Sequence, residues 1–133
     1  MRWSEFVARV AEYGRYASED EAKRIVRIVL SEAGGHVAPD VRAELAQRLP
    51  APAAEALAFQ LPATKPLSAS EFVDCVADRV EGATHATARW HVSSVLSVAA
   101  GVCGEELTDR VLASLPPGYA ILFGRGELSR AAA

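Results

Sequence analysis

An all-α fold is predicted for this chain of 133 residues, and three observations predict it. Apolar residues recur at helical spacing, helix start and stop signals separate them, and nearly the same stretch is written twice. "SEFVARVAE" begins at Ser4 and "SEFVDCVAD" at Ser70, and a shift of 66 residues aligns 4–50 with 70–116 without a gap. Ser4, Glu5, Phe6, Val7, Val10 and Ala11 recur as Ser70, Glu71, Phe72, Val73, Val76 and Ala77. Ala17, Ala22, Val26, Val29, Leu30, Ser31, Ala33 and Gly35 recur as Ala83, Ala88, Val92, Val95, Leu96, Ser97, Ala99 and Gly101, and Leu49-Pro50 as Leu115-Pro116.

What repeats is chiefly the spacing of a core. Ala22, Val26, Val29 and Ala33, flanked by Leu30, fall on one face of a helix. Phe6, Val7 and Val10 mark an earlier helix, and Leu45 with Leu49, matched by Val111 with Leu115, a later one. The spacing predicts helices over 3–14, 18–34 and 39–49, then 68–81, 84–101 and 105–115. Ser18 before Glu21 and Ser68 before Glu71 read as capping boxes, in which hydroxyl and carboxylate satisfy the unpaired donors of a helix start. Gly35 and Gly101 are expected to end their helices in the left-handed conformation. Pro39 suits a first helical turn, and Pro50 and Pro116 forbid continuation.

Between the halves, "APAAEALAFQLPATKPL" starts as a short helix over 52–60 and becomes a proline-punctuated connector, and "PGYAILF" is its counterpart after the second copy. Their bulky groups, Leu57 and Phe59 in one and Tyr119, Leu122 and Phe123 in the other, are expected to pack across the opposite half. The closing residues 124–133 carry no core pattern and are expected to fray. Three short helices bury too little surface to stand alone. The chain is therefore expected to form two tandem three-helix repeats, about 3–60 and 69–123, packed with pseudo-twofold symmetry into one helical bundle domain spanning 1–133.

These residues carry a family resemblance. The doubled Phe-x-x-x-Val start, the Ala-x-x-x-Val-x-x-Val-Leu helix, the Leu-Pro stop and the terminal Leu-Phe resemble the small bacterial proteins catalogued as domain of unknown function twenty-two sixty-seven, over about 3–123. The shared residues are core and helix-stop positions, so the resemblance implies a fold and assigns no activity. One departure from the doubling stands out: Ile25 is matched by His91, a polar group beside a core face.

Composition narrows the function. Half of the residues are hydrophobic and 23% are charged, which fits a globular chain. A net charge of −3 with scattered Lys and Arg repels a phosphate backbone, so nucleic acid is not expected as a partner. No run of apolar residues suits a membrane span, and "MRWSEFVARVAE" lacks the apolar segment of a secretion signal; a cytoplasmic location is expected. Cys75 and Cys103, widely separated, are expected to be free thiols.

Candidate chemistry was tested by spacing. Cys75, His85, His91 and Cys103 could be drawn as a zinc tetrad, but none has a close partner of the kind zinc sites use, so no metal or other cofactor is expected. Glu71, Asp74, Asp78 and Glu81 form an acidic stripe on one helix, able in principle to do acid–base work or hold a hard cation, and more often a solvated face. With no nucleophile–base pair or phosphate cradle beside them, no catalytic residues are assigned and the chain is not expected to be an enzyme.

Differences between the copies say more. On the second helix of each copy, Lys23, Arg24 and Arg27 point outward, and their counterparts are Arg89, Trp90 and Ser93. Exposed tryptophan is enriched at interface hot spots, so Trp90 leads the candidate partner-binding residues, with Lys23, Arg24 and Arg27 as a basic patch that could meet an acidic stripe in a homodimer or on another protein. The alternative is that the C-terminal segment folds over Trp90. A protein-interaction module is the leading expectation. The second is a small apolar-ligand binder with a cleft between the repeats lined by Phe59, Tyr119 and Phe123, and the third, less favoured, is a thiol- or metal-dependent enzyme.

Overall fold

The computed structural model describes residues 1–58 and 65–125, and every regular element in them is a helix. The order is α1 (Trp3–Gly14), α2 (Glu19–Gly34), α3 (Pro39–Arg48), α4 (Ala51–Ala58), α5 (Ala69–Arg79), α6 (His85–Cys103), α7 (Glu105–Ala113) and α8 (Tyr119–Leu122). No helix among the described residues is long and apolar enough to cross a membrane.

The helix ends have local causes. Ser68 and Glu71 form a complete capping box: the Glu71 N–H donates to Ser68 Oγ at 3.1 Å and the Ser68 N–H to Glu71 Oε1 at 2.8 Å. The box at α2 is partial, because Ser18 Oγ accepts from the Glu21 N–H while the Glu21 carboxylate reaches the N–H of Ala17. Pro39 occupies the first turn of α3 as expected. The two glycine stops need correction. Gly35 ends α2 with an ordinary right-handed backbone, and Gly101 lies inside α6, which runs on to Cys103 and ends at Gly104, at φ +90°. The added turn buries Cys103, so packing overrides the local breaker.

The core assembles from the residues that recur. Phe6, Val7 and Val10 on α1 and Phe72, Val73 and Val76 on α5 are buried, as are Ala22, Val26, Val29 and Leu30 on α2 and Ala88, Val92, Val95 and Leu96 on α6. Each large apolar side chain so buried contributes roughly 1.5–3 kcal/mol relative to leaving it in water. α1 lies against both α2 and α6, α5 lies against both α6 and α2, and α3 meets α7.

The two connectors behave differently from expectation. α4 packs chiefly on α2 and α3, the helices that precede it, burying Ala53 and Leu57. Pro50 sends the chain straight from α3 into α4, so the short helix can only fold back on its own half. α8 packs on α6 and brings Tyr119 edge-on to Phe72, at 5.8 Å between ring centroids, while the Tyr119 hydroxyl donates to the Leu67 carbonyl at 2.9 Å. Phe72 also meets the His36 ring edge-on, and Tyr119 and Phe123 line a small cavity with Ala33, His36 and Val37, which is where this end of the chain reaches the first half. At the start of the closing segment the Arg125 N–H donates to the Ala120 carbonyl at 2.8 Å and its guanidinium pairs with Asp109. Residues 126–133 lie outside the described part of the chain.

Candidate functional site

The end of α1 builds the first feature. Arg15 adopts a left-handed backbone, at φ +56°, which lets the Tyr16 N–H donate to the Ala11 carbonyl at 2.9 Å. That turn throws the Tyr16 ring against α6, where it stacks on His91 with centroids 5.5 Å apart and its hydroxyl reaches His91 Nδ1 at 2.6 Å. Burial pushes the Tyr16 phenol up to about 12 and holds the His91 imidazolium below its ordinary range. The phenol therefore stays protonated and the imidazole neutral at pH 7, and one hydrogen bond joins the Tyr16 oxygen and Nδ1, its direction set by the imidazole tautomer. This pairing is why a histidine can replace Ile25's counterpart beside the core.

Trp90 closes the same corner. Its Nε1–H donates to the Gly14 carbonyl at 2.9 Å, and its own carbonyl accepts from Ser94 Oγ at 2.8 Å. Residues 118–123 leave the ring partly uncovered. Trp90 remains 49% exposed, beside Ile121 at 51%, and the two line a shallow notch of about 180 Å3 with Ala86, Arg89, Ser93 and Leu122.

On the other side of His91 lies the largest concavity among those described, an open trough of about 980 Å3 between α2 and the turn joining α5 to α6. Ile25, Ile28 and Val80 supply apolar wall, Arg24, Arg27 and Arg79 supply guanidinium groups, and Glu21 and Glu81 stand at the same trough. Arg27 lies over the Trp3 ring at 5.5 Å, and Arg79 donates to Ser31 Oγ at 2.7 Å and pairs with Glu32 at 3.2 Å. The structure thus brings Arg24 and Arg27 together with His91. Lys23, half-buried, does not line the trough, and Trp90 faces the separate notch.

The other sequence candidates are dispersed. In the acidic stripe, Glu71 is spent on the α5 cap, and its carboxyl is held below the usual range by the Ser68 hydrogen bonds. Asp74 binds His85 Nδ1 at 2.7 Å, Asp78 is exposed, and Glu81 reaches the trough. Both cysteines are free thiols; burial raises the Cys75 thiol above its ordinary value and carries Cys103 to about 11, which disfavours the thiolate needed for nucleophilic attack. No group of three or more His, Cys, Asp or Glu among the described residues could hold a metal ion. Tyr119 and Phe123 line a small apolar cavity of about 10 Å3, and a second one beside Phe123 is about 30 Å3. The first holds about one water and the second two or three at most, so neither admits a drug-sized ligand unless the core opens. Phe59, the third residue of the expected cleft, lies outside the described residues.

Sequence reasoning missed Tyr16, Gly82 and Ile121. A signal for the first two was present: Tyr16 aligns with Gly82 in the 66-residue register, so a ring in one copy has no side chain in the other. Ile121 carried no such mark.

No curated protein matches the chain. The family model described as uncharacterized conserved protein (DUF2267) matches residues 3–122, nearly the whole length. The buried Phe, Val, Ala and Leu positions that recur between the copies fall within that match, and the chain belongs to the DUF2267 family.

Proposed function

We propose that this chain is a non-enzymatic protein-interaction module whose contact surface centres on Trp90. The observation that carries this reading is the state of the indole: one edge is pinned to the Gly14 carbonyl, and about half of the side chain stands in water beside an equally exposed Ile121. A ring held in place loses little further freedom on binding, and two adjacent large apolar groups gain by being covered. The raised thiol values of Cys75 and Cys103 and the dispersal of the acidic stripe favour this reading over a thiol- or metal-dependent enzyme.

The same reading takes the bundle as two three-helix halves about a pseudo-twofold axis. Support comes from α1 touching α2 and α6 while α5 touches α6 and α2, and from Glu44 meeting Arg110, its own counterpart in the register. A cytoplasmic setting without nucleic acid is supported by the unpaired thiols and the net charge of −3.

The test is quantitative affinity capture from lysate of the native host with wild type and Trp90→Ala, after matching their thermal unfolding. A specific partner retained by the wild type and lost by the variant is expected. Equal retention by both, or an absence of any partner and of self-association by light scattering, overturns the reading.

A further inference from the structure

The trough and the Tyr16 corner are built from matching positions. The Tyr16 corner is made by residues 14, 16, 90, 91 and 94; their partners in the 66-residue register are Val80, Gly82, Arg24, Ile25 and Ile28, and all five line the trough. In one corner the Tyr16 ring fills the space beside α6. At the other corner the residue in Tyr16's place is Gly82, at φ +76°, and a Cβ built there would meet nothing within 4 Å. No side chain from position 82 enters the trough, and its wall carries Ile25 and Ile28 where the Tyr16 corner has His91 and Ser94.

The polar groups around that space are chiefly donors. Among the described residues Arg24 has neither an ion-pair nor a hydrogen-bond partner. Arg27 is held at the rim by Trp3, and His91, whose Nδ1 is taken by Tyr16, stands on the same wall. Glu21 and Glu81 stand among these cations. They repel a polyphosphate backbone while leaving room for one or two carboxylates placed beside the guanidinium groups.

We infer that the trough is a docking site for an acidic segment of a partner protein that carries an aromatic residue. The ring lies on Ile28 and Val80 beside Gly82, and flanking carboxylates accept from Arg24 and Arg27. The inference rests on reading the chain as an interaction module, and it assigns the chemistry of a second surface, distinct from the Trp90 notch.

The experiment uses the full chain and fluorescein-labelled ten-residue peptides, read by anisotropy. The first has Glu-Phe-Glu at its centre in an otherwise Gly/Ser sequence, the second Glu-Ala-Glu, and the third Lys-Phe-Lys. The first is expected to bind, with the other two weaker by about tenfold or more. The Arg24→Glu/Arg27→Glu double variant and Ala83→Phe, which places a ring in the trough, are each expected to weaken the first peptide by about tenfold. Trp90→Ala is expected to leave it unchanged, so a loss of lysate partners in that variant alone reports on the notch. Absence of binding at about 1 mM, equal binding of the Ala or Lys peptide, or displacement by millimolar inorganic phosphate overturns the proposal. Because the three peptides compare ligands on one folded protein, the result holds even if a variant is unstable.

Discussion

Glu44 on α3 and Arg110 on α7 occupy the same position of the 66-residue register and bind each other, through two hydrogen bonds of 2.7 and 2.8 Å. The hydrogen bond from Arg110 holds the Glu44 carboxyl below its usual range and raises the guanidinium above its own. A fork of two parallel bonds is the strongest form a surface ion pair takes, although solvent limits what it adds. Reversing one charge with Glu44→Arg is expected to lower Tm slightly, and adding Arg110→Glu to recover it, because the exchanged pair can form the same fork. A double variant no more stable than the single one would show that the pair contributes nothing.

Gly14→Ala is expected to destabilise the protein, against the helix propensity that favours alanine by about 1 kcal/mol. A Cβ at this position would stand 2.4 Å from Cε2 and 2.9 Å from Cζ of Tyr16, and 3.0 Å from Ser94 Oγ. Relief requires the Tyr16 ring to leave His91. Overpacking of this kind costs about 1–3 kcal/mol, to be read as a lower urea midpoint at unchanged m-value. A midpoint equal to or above the wild type's would sink the argument.

Acid should loosen the same corner. Burial lowers the His91 value below the ordinary 6.5, with Glu21 opposing weakly. Between the unfolded and folded values the unfolded chain binds the extra proton, so stability falls as pH falls through that window. The contribution is complete above about pH 6.5 and declines progressively below it. Urea midpoints taken from about pH 7.5 down to 5 should fall more steeply for wild type than for His91→Gln, whose amide does not titrate. Parallel slopes would remove His91 from the account.

The two thiols should differ in reactivity. Cys75 is partly accessible, whereas Cys103 is buried in the core with its thiol carried to about 11. An aromatic disulfide reagent at neutral pH is expected to label Cys75 first and Cys103 only as the fold opens, at a rate that urea accelerates. Prompt labelling of both would contradict the burial.

Phe72 joins the far end of the chain to the core, meeting His36 and Tyr119 edge-on while almost fully buried. Phe72→Ala is expected to cost about 3–5 kcal/mol and to release Tyr119 from the Leu67 carbonyl, visible as faster exchange in α8. A loss under about 1 kcal/mol would mean that the site collapses around the gap.

The helices and most of their core faces were legible in the sequence, because a helix face depends on spacing that is written locally: Phe6, Val10, Val26 and Val29 and their counterparts fall where the periodicity places them. Capping was legible at Ser68 for the same reason. Gly101 misled, since a breaker is overruled when continuing the helix buries Cys103. The return of α4 onto its own half was not written in any one residue; it follows from how short the link through Pro50 is. For the candidate surfaces, the sequence by itself determined that position 90 carries an indole where position 24 carries a guanidinium, and that position 82 lacks the ring of position 16. Only the tertiary structure decided that Trp90 is pinned yet half-exposed, that Tyr16 reaches across 75 residues to His91, and that an open trough lies beside Gly82. Side-chain identity is local information, whereas exposure and cavities arise from contacts between segments distant in the chain.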